Sequence, residues 1–148
     1  MTKFLVLLED TRESVVAIRF AAQRAARIDA EVVVLSVIRA EDIAHGIGVA
    51  DVMRAEAREQ IEVHYEVYAT WMREKVGITA NLLIREGDPA TELLSVVAED
   101  PEISIVVMGV GGEAGPVAKR LMRDVGSLPC ALTFVPSALT TERLDAIS

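Results

Sequence analysis

The 148-residue chain predicts an α/β domain, a doubly wound five-stranded parallel sheet with helices on both faces. Three observations carry that expectation. Short, wholly aliphatic runs flanked by polar residues recur along the chain, as strands buried on both faces do. Between them lie segments whose apolar residues return at the helical period. Each parallel strand is reached by a right-handed crossover over one face, so this alternation specifies one sheet with two helical layers.

Phe4 to Leu8 is the first such run, β1. From Ser14 to Ile28 the period becomes helical, with Val15, Ile18, Ala22 and Ala25 on one stripe and Arg19, Gln23 and Arg27 opposite, which makes α1. Glu31 to Ile38 is a β-branched run too stiff to prefer a helix, β2. Arg39 to Ala50, with Gly46 and Gly48, loses periodicity and reads as a long loop of the kind kept for binding or lids. Asp51 to Val76 carries Met53, Ala57, Ile61, Tyr65, Tyr68 and Met72 at helical spacing, the long helix α2, which Gly77 ends. Leu82 to Ile84 centres β3. Gly87-Asp88-Pro89-Ala90 then supplies a turn, a cap and a first-turn proline for α3, whose buried face is Leu93, Leu94, Val96 and Val97. Pro101 closes that helix, Ile103 to Met108 is β4, Pro116 to about Val125 is α4, and Ala131 to Val135 is β5. Residues 1–136 form one domain and 137–148 a frayed C-terminal tail.

Composition narrows the function classes. With 51% apolar and 26% charged residues the chain can fill a core, and with 4% aromatics that core is aliphatic. A net charge of −8 repels nucleic acid and anionic membranes. No apolar run approaches the ~20 residues that span a bilayer, and the chain enters β1 without a leader, so a cytoplasmic location is expected. The single Cys130 excludes an internal disulfide and a cysteine-built metal cluster, and it reads as a small buried hydrophobe. His45 and His64 lack a convergent third ligand and read as structural.

In doubly wound sheets ligands sit beyond the carboxyl ends of the strands, at the switch point, here after β1 and β4. After β4 stands Gly109-Val-Gly-Gly-Glu-Ala-Gly115, four glycines in seven residues before a helix. Such a turn brings backbone N–H groups close to an anion at a positive helix end, which suits a phosphate. A merely tight β-to-α turn is the alternative. The spacing is neither a Walker A loop nor the dinucleotide fingerprint. After β1 stand Glu9, Asp10 and Thr11. Adjacent carboxylates there can hold Mg²⁺, as in phospho-accepting receiver domains, but β3 ends in Arg85-Glu86 and β5 in Pro136-Ser137, where a receiver needs Asp and Lys. Either Asp10 or Thr11 caps α1 with Glu9 solvated, or Glu9 accepts a hydrogen bond from a base. Lys119, Arg120 and Arg123 either steer a phosphate or complement the dipole of α4. No nucleophile, base and orienter occur together, so no catalytic residue is assigned.

Four passages resemble the universal stress protein family, and the likeness runs from β1 to β5. They are Phe4-Leu-Val-Leu-Leu-Glu-Asp-Thr11, Leu35-Ser-Val-Ile38, Arg85-Glu-Gly-Asp-Pro-Ala90 and Ile105-Val-Val-Met-Gly-Val-Gly-Gly112. The resemblance implies strand order 3-2-1-4-5, a homodimer formed through β5, and in many members a pocket for ATP or AMP with Mg²⁺. It implies adenosine contacts at Glu9, with Asp10 and Thr11 beside it, and at Val37. It also implies phosphate contacts at Gly109, Gly111, Gly112 and Gly115. The family's phosphate motif is Gly, two residues, Gly, nine residues, then Gly followed by Ser or Thr. Gly109 and Gly112 match its first half, while Met122-Arg123 stand in place of its second. Gly126-Ser127 comes four residues late, just before Leu128-Pro129, and the segment ahead of β5 is about one helical turn short. Two functions follow: a stress-response module that binds an adenine nucleotide and at most hydrolyses ATP slowly, or a nucleotide-independent protein-interaction module of the same fold.

Overall fold

Phe4, Val6 and Leu8 point into one core and Leu5 and Leu7 into another, because successive residues of a strand face opposite sides. That alternation, with Phe4 to Leu8 all buried, makes β1 the centre of a two-faced sheet. The computed structural model describes residues 1–43, 46 and 48–148. Its elements are β1 (Lys3–Leu7), α1 (Arg12–Ile28), β2 (Glu31–Arg39), a 3-10 turn (Ala40–Asp42), α2 (Val49–Trp71) running into a π turn (Met72–Val76), β3 (Ala80–Gly87), α3 (Pro89–Glu99), β4 (Ile103–Val110), α4 (Pro116–Asp124) with a 3-10 turn (Val125–Ser127), β5 (Ala131–Pro136) and α5 (Thr141–Ile147). All strand pairings are parallel, in the order β3-β2-β1-β4-β5. Residues of α1, Met72 and Leu144 of α5 close one face of the sheet, and Leu93, Val96 and Val97 of α3 with Ala118 and Leu121 of α4 close the other.

The α1 stripe is rotated from the expected one. Val15 is 38% exposed, while Val16 is buried beside Ile18, Ala21, Ala22 and Ala25, so that small alanines let the helix lie close on the sheet. The long α2 begins two residues earlier than expected, behind Gly48 at φ 78°, and ends in a π turn that the Gly77 N–H closes on the Met72 carbonyl at 2.8 Å. Only Ala69 of α2 proper is buried, and Val52, Val63 and Val67 face outward. β3 is longer than its apolar centre because the family-like Arg85-Glu-Gly87 still pairs with β2. β4 likewise runs on to Val110, so Gly109 lies inside the strand, opposite Val135, and not in the turn after it. His45 lies outside the described residues.

The frayed tail is also corrected. Thr140 caps α5 by accepting from the Arg143 N–H at 3.1 Å, and Leu144 is buried in the α1-side core. Arg19 donates from Nε and Nη2 to the two carboxylate oxygens of Asp145 at 2.7 and 2.8 Å, and Gln23 donates to the same carboxylate at 2.7 Å. Arg19 also stacks over the Trp71 ring, 5.1 Å from its centroid, so α1, α2 and α5 are joined at one guanidinium. Among the described residues no helix is long and apolar enough to cross a membrane.

Candidate functional site

Strand order makes the cleft. The chain leaves β1 for β2 over one face and reaches β4, on the other side of β1, over the opposite face, so the connections diverge beyond the carboxyl ends of β1 and β4. A cleft of ≈ 780 Å³ opens there, bounded by the starts of α1, α3 and α4.

The β1 side is wound around Ser14, which is 4% exposed. Its hydroxyl donates to the Leu7 carbonyl at 3.1 Å and accepts from the Glu9 N–H at 2.8 Å. Its own N–H donates to Thr11 Oγ1 at 3.2 Å, so Thr11, not Asp10, caps α1. These bonds fix where Glu9 leaves the strand. Its carboxylate then accepts from Arg39 Nη2 at 3.3 Å, at the end of β2. Asp10 is exposed and does not line the cleft. Burial first, then the charge of Asp10, raises the Tyr68 phenol above its ordinary pKa.

The β4 side is shaped by close approach. A Cβ on Gly109 would stand 2.1 Å from the Glu13 carbonyl oxygen, so glycine is required where the first turn of α1 crosses the strand. At Gly111 a Cβ would meet Glu13 Oε1 at 2.8 Å. Nothing lies within 4 Å of such an atom at Gly112 or Gly115, and none of these four glycines has a positive φ. Gly115 precedes Pro116 at the start of α4, and no side chain caps that helix. The other two helix starts are occupied: Thr11 caps α1, and Asp88 caps α3 by accepting from the Thr91 N–H at 3.0 Å. That N–H, followed by the Thr91 hydroxyl, holds the Asp88 carboxyl below its ordinary pKa. The α4 start, lined by Gly115, Pro116, Val117 and Ala118, is therefore the helix end left to a ligand, and an N-terminus favours an anion.

Four carboxylates (Glu9, Glu13, Asp88 and Glu113) and four cations (Arg39, Lys119, Arg120 and Arg123) line the cleft. Each cation already has an acidic partner. Arg39 pairs with Glu9, Lys119 with Glu113 at 3.8 Å, and Arg120 and Arg123 both with Asp124 at 2.8 and 3.1 Å. Arg123 first, then Arg120, holds the Asp124 carboxyl below its ordinary pKa.

Of the eight residues expected at the site, Glu9, Thr11, Gly109, Gly111 and Gly115 line this one cleft, and Asp10, Val37 and Gly112 do not. Val37 is a half-buried residue within β2, paired in register with Arg85. Ser127 lies in the 3-10 turn after α4 and donates to the Asp124 carbonyl at 3.0 Å, so its hydroxyl is engaged locally. His64 packs edge-on against Tyr68 at 5.4 Å between centroids. Cys130 is partly buried, and burial pushes its thiol above the ordinary pKa, away from the reactive thiolate. Glu13, Arg39, Asp88 and Pro89 were not anticipated in the cleft. A signal for Glu13 and Asp88 existed, since each stands at the start of a helix that follows a strand, and those ends face the switch point.

Comparison with known proteins agrees with this architecture. The model of the universal stress protein family matches residues 1–127. Among solved structures, the universal stress protein UspA from Lactobacillus plantarum superposes with a TM-score of 0.72 at 18% identity, covering 90% of this chain and 97% of that one. The universal stress protein from Archaeoglobus fulgidus, solved in complex with dAMP, gives 0.62 at 17% identity, covering 90% and 97%. A universal stress protein family member from Arabidopsis thaliana with AMP bound gives 0.60 at 14% identity, covering 92% of each. At these identities the structures establish the fold. No curated protein matches.

Proposed function

The chain belongs to the universal stress protein family, and we propose that it is a stress-response module whose switch-point cleft binds an adenine nucleotide. The observation that carries this is the α4 start. It is a helix N-terminus without a side-chain cap, reached through Gly109 to Gly115, opening into a cleft that the α1 and α3 caps leave free. In this arrangement the adenosine lies toward Glu9 and Thr11 and the phosphate toward Gly111, Gly115 and α4. The neighbours solved with dAMP and AMP carry ligands of the same class. Among the described residues no three His, Cys, Asp or Glu side chains converge on a metal-sized point, so Mg²⁺ would enter on the phosphates of the ligand. The proposal includes a cytoplasmic location, where such nucleotides are abundant.

Thermal unfolding with adenosine, AMP and ATP tests the proposal. A ligand present at a hundred times its Kd stabilises the native state by about 2.7 kcal/mol, or roughly 8–10 °C for a chain of this size. No shift with any of the three at millimolar concentration would leave the nucleotide-independent interaction module as the function. The proposal includes a homodimer through β5, which pairs with β4 on one edge only among the described residues. A native mass spectrum showing monomer alone at micromolar concentration removes that part.

A further inference from the structure

We infer that Glu13 sets which nucleotides the cleft accepts, favouring a nucleoside or its monophosphate over a triphosphate. This rests on the adenosine-binding function proposed above and concerns the charged end of the same ligand.

Glu13 occupies the first turn of α1, where the helix crosses the carboxyl end of β4. Its backbone lies against the strand beneath it, with its carbonyl oxygen 2.1 Å from where a Gly109 Cβ would be. Its carboxylate reaches over Gly111, with Oε1 standing 2.8 Å from the Cβ position there. A negative charge therefore already covers the backbone that a phosphate would approach, and the positive end of α1 favours its staying there. The cations that would neutralise further charge are engaged: Arg39 with Glu9, Lys119 with Glu113, Arg120 and Arg123 with Asp124. Each added phosphate then either faces Glu13 or shares a cation with the carboxylate already beside it. The α4 N-terminus can compensate one anionic group, and nothing comparable among the described residues serves a second or a third. Two unit charges a few ångströms apart in a half-exposed cleft repel by roughly tenfold in affinity. Adenosine carries no phosphate, so the charge of Glu13 should matter little to its binding.

The experiment is calorimetric titration of adenosine, AMP and ATP, without Mg²⁺, into the unmodified protein, Glu13→Gln and Glu56→Gln. Glu56 is an exposed residue of α2 outside the cleft, and its substitution removes the same unit of net charge. The unmodified protein is expected to bind ATP no more tightly than AMP. Glu13→Gln should tighten ATP about tenfold, tighten AMP less, and leave adenosine within about twofold. Glu56→Gln should change none of the three. The inference is overturned if Glu13→Gln tightens all three ligands equally or none, if Glu56→Gln does as much, or if the unmodified protein prefers ATP. Should Glu13→Gln melt below the unmodified protein, Glu13→Ala repeats the charge removal with a different side chain. Adenosine binding with an unmoved ATP-to-adenosine ratio removes only the role of Glu13. Failure of adenosine and AMP to bind any of the proteins removes the nucleotide function, and the Glu13 inference falls with it.

Discussion

Replacing Gly109 by Ala should be among the most damaging single-methyl changes in this protein, and replacing Gly112 among the most benign. A Cβ at Gly109 would stand 2.1 Å from the Glu13 carbonyl oxygen, 2.6 Å from its carbon and 2.7 Å from the Glu13 Cα. All three are backbone atoms, so no rotamer change relieves the overlap. Either β4 bends or the first turn of α1 lifts off the sheet by about an ångström. That turn carries the Thr11 cap and the Ser14 bonds to β1. Overpacking of this kind costs about 1–3 kcal/mol, and loss of the cap adds about 1 kcal/mol. A total near 3 kcal/mol corresponds to a fall in Tm of roughly 10 °C at about 3–4 °C per kcal/mol. Gly112 meets nothing within 4 Å and does not have a positive φ, so alanine there should be neutral or stabilise by up to about 1 kcal/mol through the unfolded chain. Urea unfolding of both variants gives the comparison. Equal stabilities would refute the claim that Gly109 is a packing glycine.

The hold of α5 on α1 should depend on acid. Arg19 first, then Gln23, lowers the Asp145 carboxyl from 3.8 to about 2, so the stabilisation is complete above about pH 4 and is lost as pH falls through 2. The Asp145 side chain is 40% exposed, and solvent screening reduces its worth to about 1 kcal/mol. Asp145→Asn should therefore trail the unmodified protein by about that much at pH 7, with the gap closing below pH 3. A gap undiminished at pH 2 contradicts the assignment. Ser14→Ala should cost about 1–3 kcal/mol, since it strands the Leu7 carbonyl and the Glu9 N–H behind α1. Hydrogen exchange at the Glu9 amide should speed up in that variant, and an unchanged rate would show that the bond to Ser14 is not what protects it.

Strands and crossovers were legible because burial on both faces leaves a plain signal. Val32 to Leu35 can be nothing but interior, and the Asp88-Pro89 cap announces α3 by chemistry that is local to it. What failed to show was decided at a distance. The helical period places Val15 on the inner face of α1, and only the closeness of alanines to the sheet selects Val16 instead. The tail, 137–148, reads as frayed, since a helix as short as the seven residues Thr141–Ile147 has no stability of its own. It forms because Leu144 enters a core made by α1, and because Arg19 and Gln23, more than a hundred residues earlier, meet Asp145. No local pattern encodes such a partner.

The glycine-rich segment shows the same division within the candidate site. Its composition pointed to the carboxyl end of β4, where the cleft opens, but the glycines there serve different ends. Gly109 lets a helix cross a strand, Gly111 lies under the Glu13 carboxylate, and Gly115 leads into a helix start that no side chain caps. A count of glycines cannot separate these, since the first is explained entirely by a residue on another element. The same crossing that demands Gly109 carries Glu13 to the mouth of the turn. Under the proposed function, packing and ligand choice are therefore not independent here. Under the proposed function, any substitution that shifts α1 against β4 moves the carboxylate that would face the ligand, so Gly109→Ala should alter the preference between AMP and ATP as well as the stability, while Gly112→Ala leaves the preference unchanged. A stable Gly109→Ala variant with unmodified nucleotide preference would separate the two roles and leave the crossing as packing alone.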